Sequence, residues 1–228
     1  MTAFVELVPF ALLGAVIGLD SVSFPQAMLS RPIVSATLAG ALAGAPERGL
    51  LAGAALELMA LETLPVGASR YPEWGTAGVV GGALVALHPG GTTGALAVAV
   101  LAALLTAALG ARSMVWLRRL VARWAGDVRD ELASGSAEAV AGLQLRGLTA
   151  DLVRGALVTL VALGIAVPAS RTLLPLWGIG AGPTRATIVA LAAAVSAAAV
   201  WKLARNCAHG RAYLAAGLAV GLVLVVAT

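Results

Sequence analysis

Apolar runs that keep starting and stopping constrain this chain more than any other feature. They fall at about 3–19, 33–45, 49–64, 76–87, 92–111, 148–168, 186–201 and 212–227, each bounded by charge, glycine or proline. A helix needs about 20 apolar residues to cross the hydrocarbon of a bilayer, and several of these runs are too short. Alternating ten-residue strands, the mark of a membrane barrel, are absent. The chain therefore reads as all-α, a polytopic integral membrane protein with short, broken or re-entrant helices in its N-terminal part. Composition agrees, with 60% hydrophobic and 11% charged residues among 228, against roughly 25% charged in soluble domains. The first run lacks a basic leader and carries Glu6, so a cleaved signal peptide is not expected.

Other classes fall away quickly. One cysteine, Cys207, and two distant histidines, His88 and His209, leave no basis for a disulfide framework or a metal cluster. No P-loop, zinc motif or nucleophile elbow occurs, so neither a cofactor nor catalytic residues are expected. An isoelectric point near 10.2 suggests nucleic acid. The net charge is only +4, however, and the basic residues cluster where membrane topology wants them. Nucleic acid is therefore not a predicted partner; the lipid bilayer is.

Three parts follow along the chain. Residues 1–111 form an N-terminal membrane part with discontinuous helices and the substrate site. Residues 112–146 comprise an amphipathic helix, "RSMVWLRRLVARWAGDVRDE", lying in the membrane interface, and a polar linker, "LASGSAEAVAGLQLRG". Residues 147–228 hold C-terminal transmembrane helices. Arg112, Arg119 and Arg123 in the amphipathic helix, and Lys202, Arg205 and Arg211 further on, can all face the cytoplasm.

The charged positions in the N-terminal part carry the functional reading. Glu57 lies inside "LLAGAALELMAL", where a carboxylate costs roughly 3 kcal/mol on insertion scales. It needs a partner, a proton or a polar ligand; sugar hydroxyls would suit it, and Arg31 on another helix is the structural alternative. Glu62 is offset from it by about 140° on a helix, which argues against a paired-carboxylate site. Asp20 and Gln26 occur in "GLDSVSFPQAMLSRP". Gln26 has the donor and acceptor needed to read a hydroxyl, or is a plain turn residue; Arg31 neutralises Asp20 or caps a neighbouring helix. Pro65 and Gly67 end one helix and Pro72 starts the next, whose dipole steadies Glu73. His88 in "LHPGG" reads as a polar turn residue rather than a phosphoryl carrier.

In order, "LSRPIVSATLAGALAGAPERGLLAGAALELMALETLPVGASRYPEWGTAG" resembles the membrane C component of the mannose/sorbose type of the bacterial phosphoenolpyruvate:sugar phosphotransferase system. The matching residues are Asp20, Gln26, Arg31, Pro32, Gly53, Glu57, Pro65, Gly67, Ala68, Pro72 and Glu73. Beyond residue 112 the likeness rests on hydropathy and on "LTADLVRGALVTLVAL". Glu73 stands where aspartate is usual, Arg70 where a small or apolar residue is common, and Glu62 where glycine or asparagine is typical. The resemblance implies a sugar-binding permease subunit in the bacterial cytoplasmic membrane, with Glu57, Gln26, Glu73, Asp20 and Gly67 at the substrate site. It also implies a hetero-oligomer with a membrane D subunit, and soluble A and B components that phosphorylate the entering sugar. Under that resemblance, helix 112–129 is the expected contact for such a partner.

Two other readings remain open at this level. One is a proton-coupled solute carrier using Glu57 as a relay. The other is a membrane-bound enzyme employing Glu57 and Glu62, against which the helical offset counts.

Overall fold

A computed structural model describes residues 5–61, 71–88, 94–205 and 207–227. Among the described residues it is all-helical: α1 (Val8–Asp20), α2 (Pro32–Leu42), α3 (Pro46–Ala60), α4 (Trp74–Ala86), α5 (Ala95–Asp127), α6 (Arg129–Ala133), α7 (Ala137–Leu173), α8 (Ala181–Ala204) and α9 (Gly210–Ala227). A single 3-10 turn, Leu174–Leu176, follows α7. Helices α5, α7 and α8 are long and apolar enough to cross a membrane, so the chain is a multi-pass membrane protein.

The short helices begin at their prolines, as the sequence requires. Pro32 and Pro46 each occupy the first turn of α2 and α3, where a missing N–H costs nothing. A tight turn joins these helices through Gly44, at φ +76°, a left-handed value that glycine adopts freely. At about 1.5 Å rise per residue, the 11 residues of α2 and 15 of α3 are too short to cross a bilayer. They form a hairpin instead, and α2 and α3 both pack on α4.

Helix α4 is the centre of the molecule. Every residue from Gly75 to Ala86 is buried, as befits a helix apolar on all sides. It touches α1, α2, α3, α5 and α7. Its Val79, Val80, Ala83 and Leu84 share one apolar core with Ile17 of α1, Ala99 of α5 and Leu163 of α7. Helices this close need small residues, since within lipid the attraction between them comes from packing rather than water exclusion. At Gly82 the backbone of α2 leaves no room for a side chain: a Cβ there would fall 2.7 Å from the Ala36 Cα.

The long helices depart from the sequence expectation. The boundary placed at 111/112 falls inside one uninterrupted helix, α5, and the segment read as lying in the membrane interface is its continuation. The reason is that its apolar stripe has a protein partner: Met114 and Leu117 are buried and α5 packs along α7. Most of the stretch read as a polar linker is likewise helical. Ser136 caps α7 by accepting from the Ala139 N–H at 3.2 Å, and only the turn at 134–136 is left outside helix. Helices of 33 and 37 residues reach about 50 Å, well beyond a hydrocarbon core of about 30 Å. The pair is therefore long enough for its arginine-bearing end, called the stalk below, to extend past the hydrocarbon.

Gly82→Val should lower stability by about 3 kcal/mol, the upper end of overpacking costs, because backbone atoms cannot move aside. Gly126→Val, at a position with open space around it, should leave it unchanged. Thermal unfolding of the two variants in detergent checks this.

Candidate functional site

Two broken helices begin side by side, and each start is closed by a carboxylate. Glu73 is the N-cap of α4. Its Oε1 accepts from the Thr76 N–H at 3.1 Å and its Oε2 from the Thr76 hydroxyl, the usual way to satisfy an orphan first-turn donor. Glu57, from the last turn of α3, reaches the first turn of α2: its Oε2 accepts from the Ile33 N–H at 3.2 Å while its Oε1 pairs with Arg31. The segment between α1 and α2 is held by a third carboxylate. Asp20 accepts from the Ala27 N–H at 2.6 Å and from the Ser30 N–H at 2.8 Å. Negative groups are favoured at such helix starts by the backbone dipole.

Between these elements lies a cleft of about 100 Å³, whose walls include Ser21, Ser30, Arg31, Tyr71, Glu73 and Trp74. Hydroxyls, a guanidinium and a carboxylate together suit a hydroxyl-rich solute. Among the described residues no group of three or more His, Cys, Asp or Glu gathers as a metal site.

Of the residues named from the sequence, Glu73 lines the cleft and is only 2% exposed. Asp20 and Glu57 brace its walls. Gln26 is turned away: it is exposed, and its Nε2 donates to the Val22 carbonyl at 2.8 Å within its own loop. Arg31 does not neutralise Asp20, whose oxygens are taken by backbone amides; its ion pair is with Glu57. With the Arg31 side chain 49% exposed and that of Glu57 15%, this pair is wet rather than sealed. Gly67, Glu62, Pro65 and Arg70 lie outside the described residues.

The sequence reading missed what holds Glu73 in place. Asp151 and Arg154 on α7 are both buried, and Arg154 Nε donates to Asp151 Oδ1 at 2.8 Å. The same guanidinium places Nη1 3.8 Å from Glu73 Oε2. It also donates to Ser113 Oγ on α5 at 3.3 Å and to the Gly18 carbonyl on α1 at 3.4 Å. One arginine thus ties together the starts and flanks of four helices. Asp151 Oδ2 accepts from the Ser23 hydroxyl and Glu73 Oε1 from the Ser21 hydroxyl at 3.3 Å, so the loop after α1 is fastened to the same knot. Glycine makes room for it: at Gly110 a Cβ would stand 2.7 Å from the Glu73 Cβ. The signal was present in "LTADLVRG", where opposite charges three residues apart interrupt an apolar helix.

His88 is a pinned structural residue at the other end of α4. Its Nδ1 donates to the Leu84 carbonyl at 2.7 Å and its Nε2 lies 3.2 Å from Ser170 Oγ.

Comparison with known proteins gives this arrangement a context. The model of the family described as "PTS system sorbose-specific iic component" matches residues 4–174. The chain belongs to that family. The matched span takes in α1 to α7, the cleft and the Arg154 knot, and leaves α8 and α9 outside. A fructose permease IIC component of Bacillus subtilis (strain 168) is 25% identical over 169 residues, which cover 74% of this chain and 61% of the relative. The chain thus spans about three-fifths of the length of the curated relative it matches. A solved structure titled "Structure of membrane protein" superposes with a TM-score of 0.72 at 20% identity, covering 97% of this chain and 92% of that one; it shares the fold.

Arg154→Gln leaves two buried carboxylates without their cation and should cost about 3 kcal/mol or more. Combining it with Asp151→Asn should recover part of that loss, as a double-mutant cycle on thermal or denaturant unfolding would show.

Proposed function

We propose that this IIC-family chain is the sugar-translocating membrane subunit of a phosphoenolpyruvate-dependent phosphotransferase complex. It binds a sugar in the cleft beside Glu73 and Glu57 and passes it inward, where a soluble B component phosphorylates it. A membrane D subunit and an A component complete the assembly in the bacterial inner membrane. The observation that carries this reading is the family match over 4–174, a span that contains the whole cleft. The geometry suits it. The cleft sits level with Ala107, whose carbonyl accepts from the Glu73 N–H at 3.1 Å, near the end of α5's apolar stretch and next to the basic stalk. A solute released there would emerge beside Arg112, Arg118 and Arg119, a surface suited to a phosphorylated carrier.

In this reading Glu73, its oxygens held by Thr76, Ser21 and Arg154, is the fixed back of the cleft, and the Glu57–Arg31 pair is the adjustable wall. Glu57 retains lone pairs for a sugar hydroxyl while its other contacts hold α2 in place. The family's phosphoryl chemistry lies on soluble partners, so this chain's contribution is binding, orientation and passage.

Vesicles containing the chain with its membrane partner should accumulate sugar phosphate only when phosphorylated B component is supplied. Uptake of free sugar driven by a pH gradient alone would defeat the proposal. Glu57→Gln keeps an oxygen for the Ile33 N–H but loses the charge. It should insert and fold normally yet lose most sugar binding, measured by equilibrium binding of labelled sugars; unchanged binding would make Glu57 a brace only.

A further inference from the structure

The end of the bundle opposite the stalk holds a second hollow, which shares no lining residue with the cleft. It has a volume of about 130 Å³, and its polar wall is Arg48, His88, Thr184 and Arg185. Along α5 it lies about 18 Å from the level of the cleft, by helix rise between Ala95 and Ala107. Among the described residues no carboxylate lines it. Glu47, beside Arg48 in sequence, is exposed and not part of the wall.

Its charge has no ion-pair partner among the described residues. Among the described residues the ion pairs are Arg31–Glu57, Arg154–Glu73 and Arg154–Asp151, and neither Arg48 nor Arg185 takes part in one. Arg48 uses Nη1 to donate to the His88 carbonyl at 3.0 Å, which fixes the side chain and leaves most of its five N–H donors for another acceptor. Two helices also start at this hollow. Gly94, Ala95 and Leu96 open α5 and Ala181 opens α8, and neither start has a side-chain cap. Two guanidiniums and two uncapped helix starts therefore meet in one place. Each favours an anion, and the planar donors of arginine match phosphate oxygens in particular. The remaining wall is apolar: Leu51, Val85 and Leu96. Leu50 and Leu51, on the flank of α3, are about half exposed, facing the lipid side of a membrane protein.

We propose that this hollow binds the phosphate headgroup of an anionic phospholipid, with the acyl chains running along the exposed leucines of α3. The arginines hold the phosphate, the helix starts add their dipoles, and the apolar wall accepts the glycerol end. A free phosphate would use the same donors but gain nothing from the apolar flank, and the test separates the two.

The purified chain in neutral detergent is titrated with phosphatidylglycerol, phosphatidylcholine or inorganic phosphate, with native mass spectrometry and thermal unfolding as readouts. Phosphatidylglycerol should bind about tenfold tighter than phosphatidylcholine and raise the unfolding temperature. Arg48→Gln and Arg185→Gln should each weaken it about tenfold, the loss expected for one charge-assisted contact, whereas Arg146→Gln on the stalk should not. Equal retention of both lipids, or indifference to both wall substitutions, overturns the proposal. Arginine-dependent protection by inorganic phosphate as strong as that by the lipid overturns the lipid assignment in favour of a soluble anion. Should Arg48→Gln fold poorly, the exposed Arg185 decides alone, since its replacement removes charge without removing packing.

Discussion

A helix that stops partway through an apolar medium must do something with its free amide groups, and in this chain carboxylates take them. Glu73 closes the start of α4, Glu57 that of α2, and Asp20 the loop that precedes α2. Each solution raises a second problem, because an ionised carboxylate in lipid surroundings needs its own compensation. Glu57 finds it in a half-exposed arginine. Glu73 and Asp151 share Arg154, whose remaining donors go to Ser113 and the Gly18 carbonyl. The short helices and their cleft can exist because this buried cation sits at the point where α1, α4, α5 and α7 converge.

This arrangement divides labour between the helices. The long ones, α5 and α7, supply the cation, a hydroxyl and a glycine at the height where they are needed. The short ones supply the groups that line the cleft. Small residues let the two sets approach, as at Gly82 against Ala36 and at Gly110 against Glu73. Binding surface and scaffold are thereby joined through polar contacts in the interior rather than through loops.

Much of this was legible in the sequence. Pro32 and Pro46 mark helix starts, Pro72 stands just ahead of the Glu73 cap of α4, and Glu57 and Glu73 point to the region of the cleft. Asp20 and Gln26 read as ligands because a sequence shows polarity without direction. Only the backbone path reveals that Asp20 accepts from two amides of its own loop and that Gln26 folds back on Val22. Residues 112–131 read as an interfacial helix since an apolar stripe looks the same whether it meets lipid or α7. The pair Asp151 and Arg154 was passed over because two opposite charges one turn apart look self-sufficient. Their third partner, Glu73, is nearly eighty positions away.

Complete enclosure of α4 has a consequence for how the protein meets membranes of different composition. Hydrophobic mismatch acts on surfaces that touch acyl chains, and is absorbed there by tilt or local thinning. With every residue from Gly75 to Ala86 shielded, that strain falls on the helices around it. A thicker or thinner bilayer can tilt the outer helices while the segment beginning at Glu73 keeps its own length and surroundings.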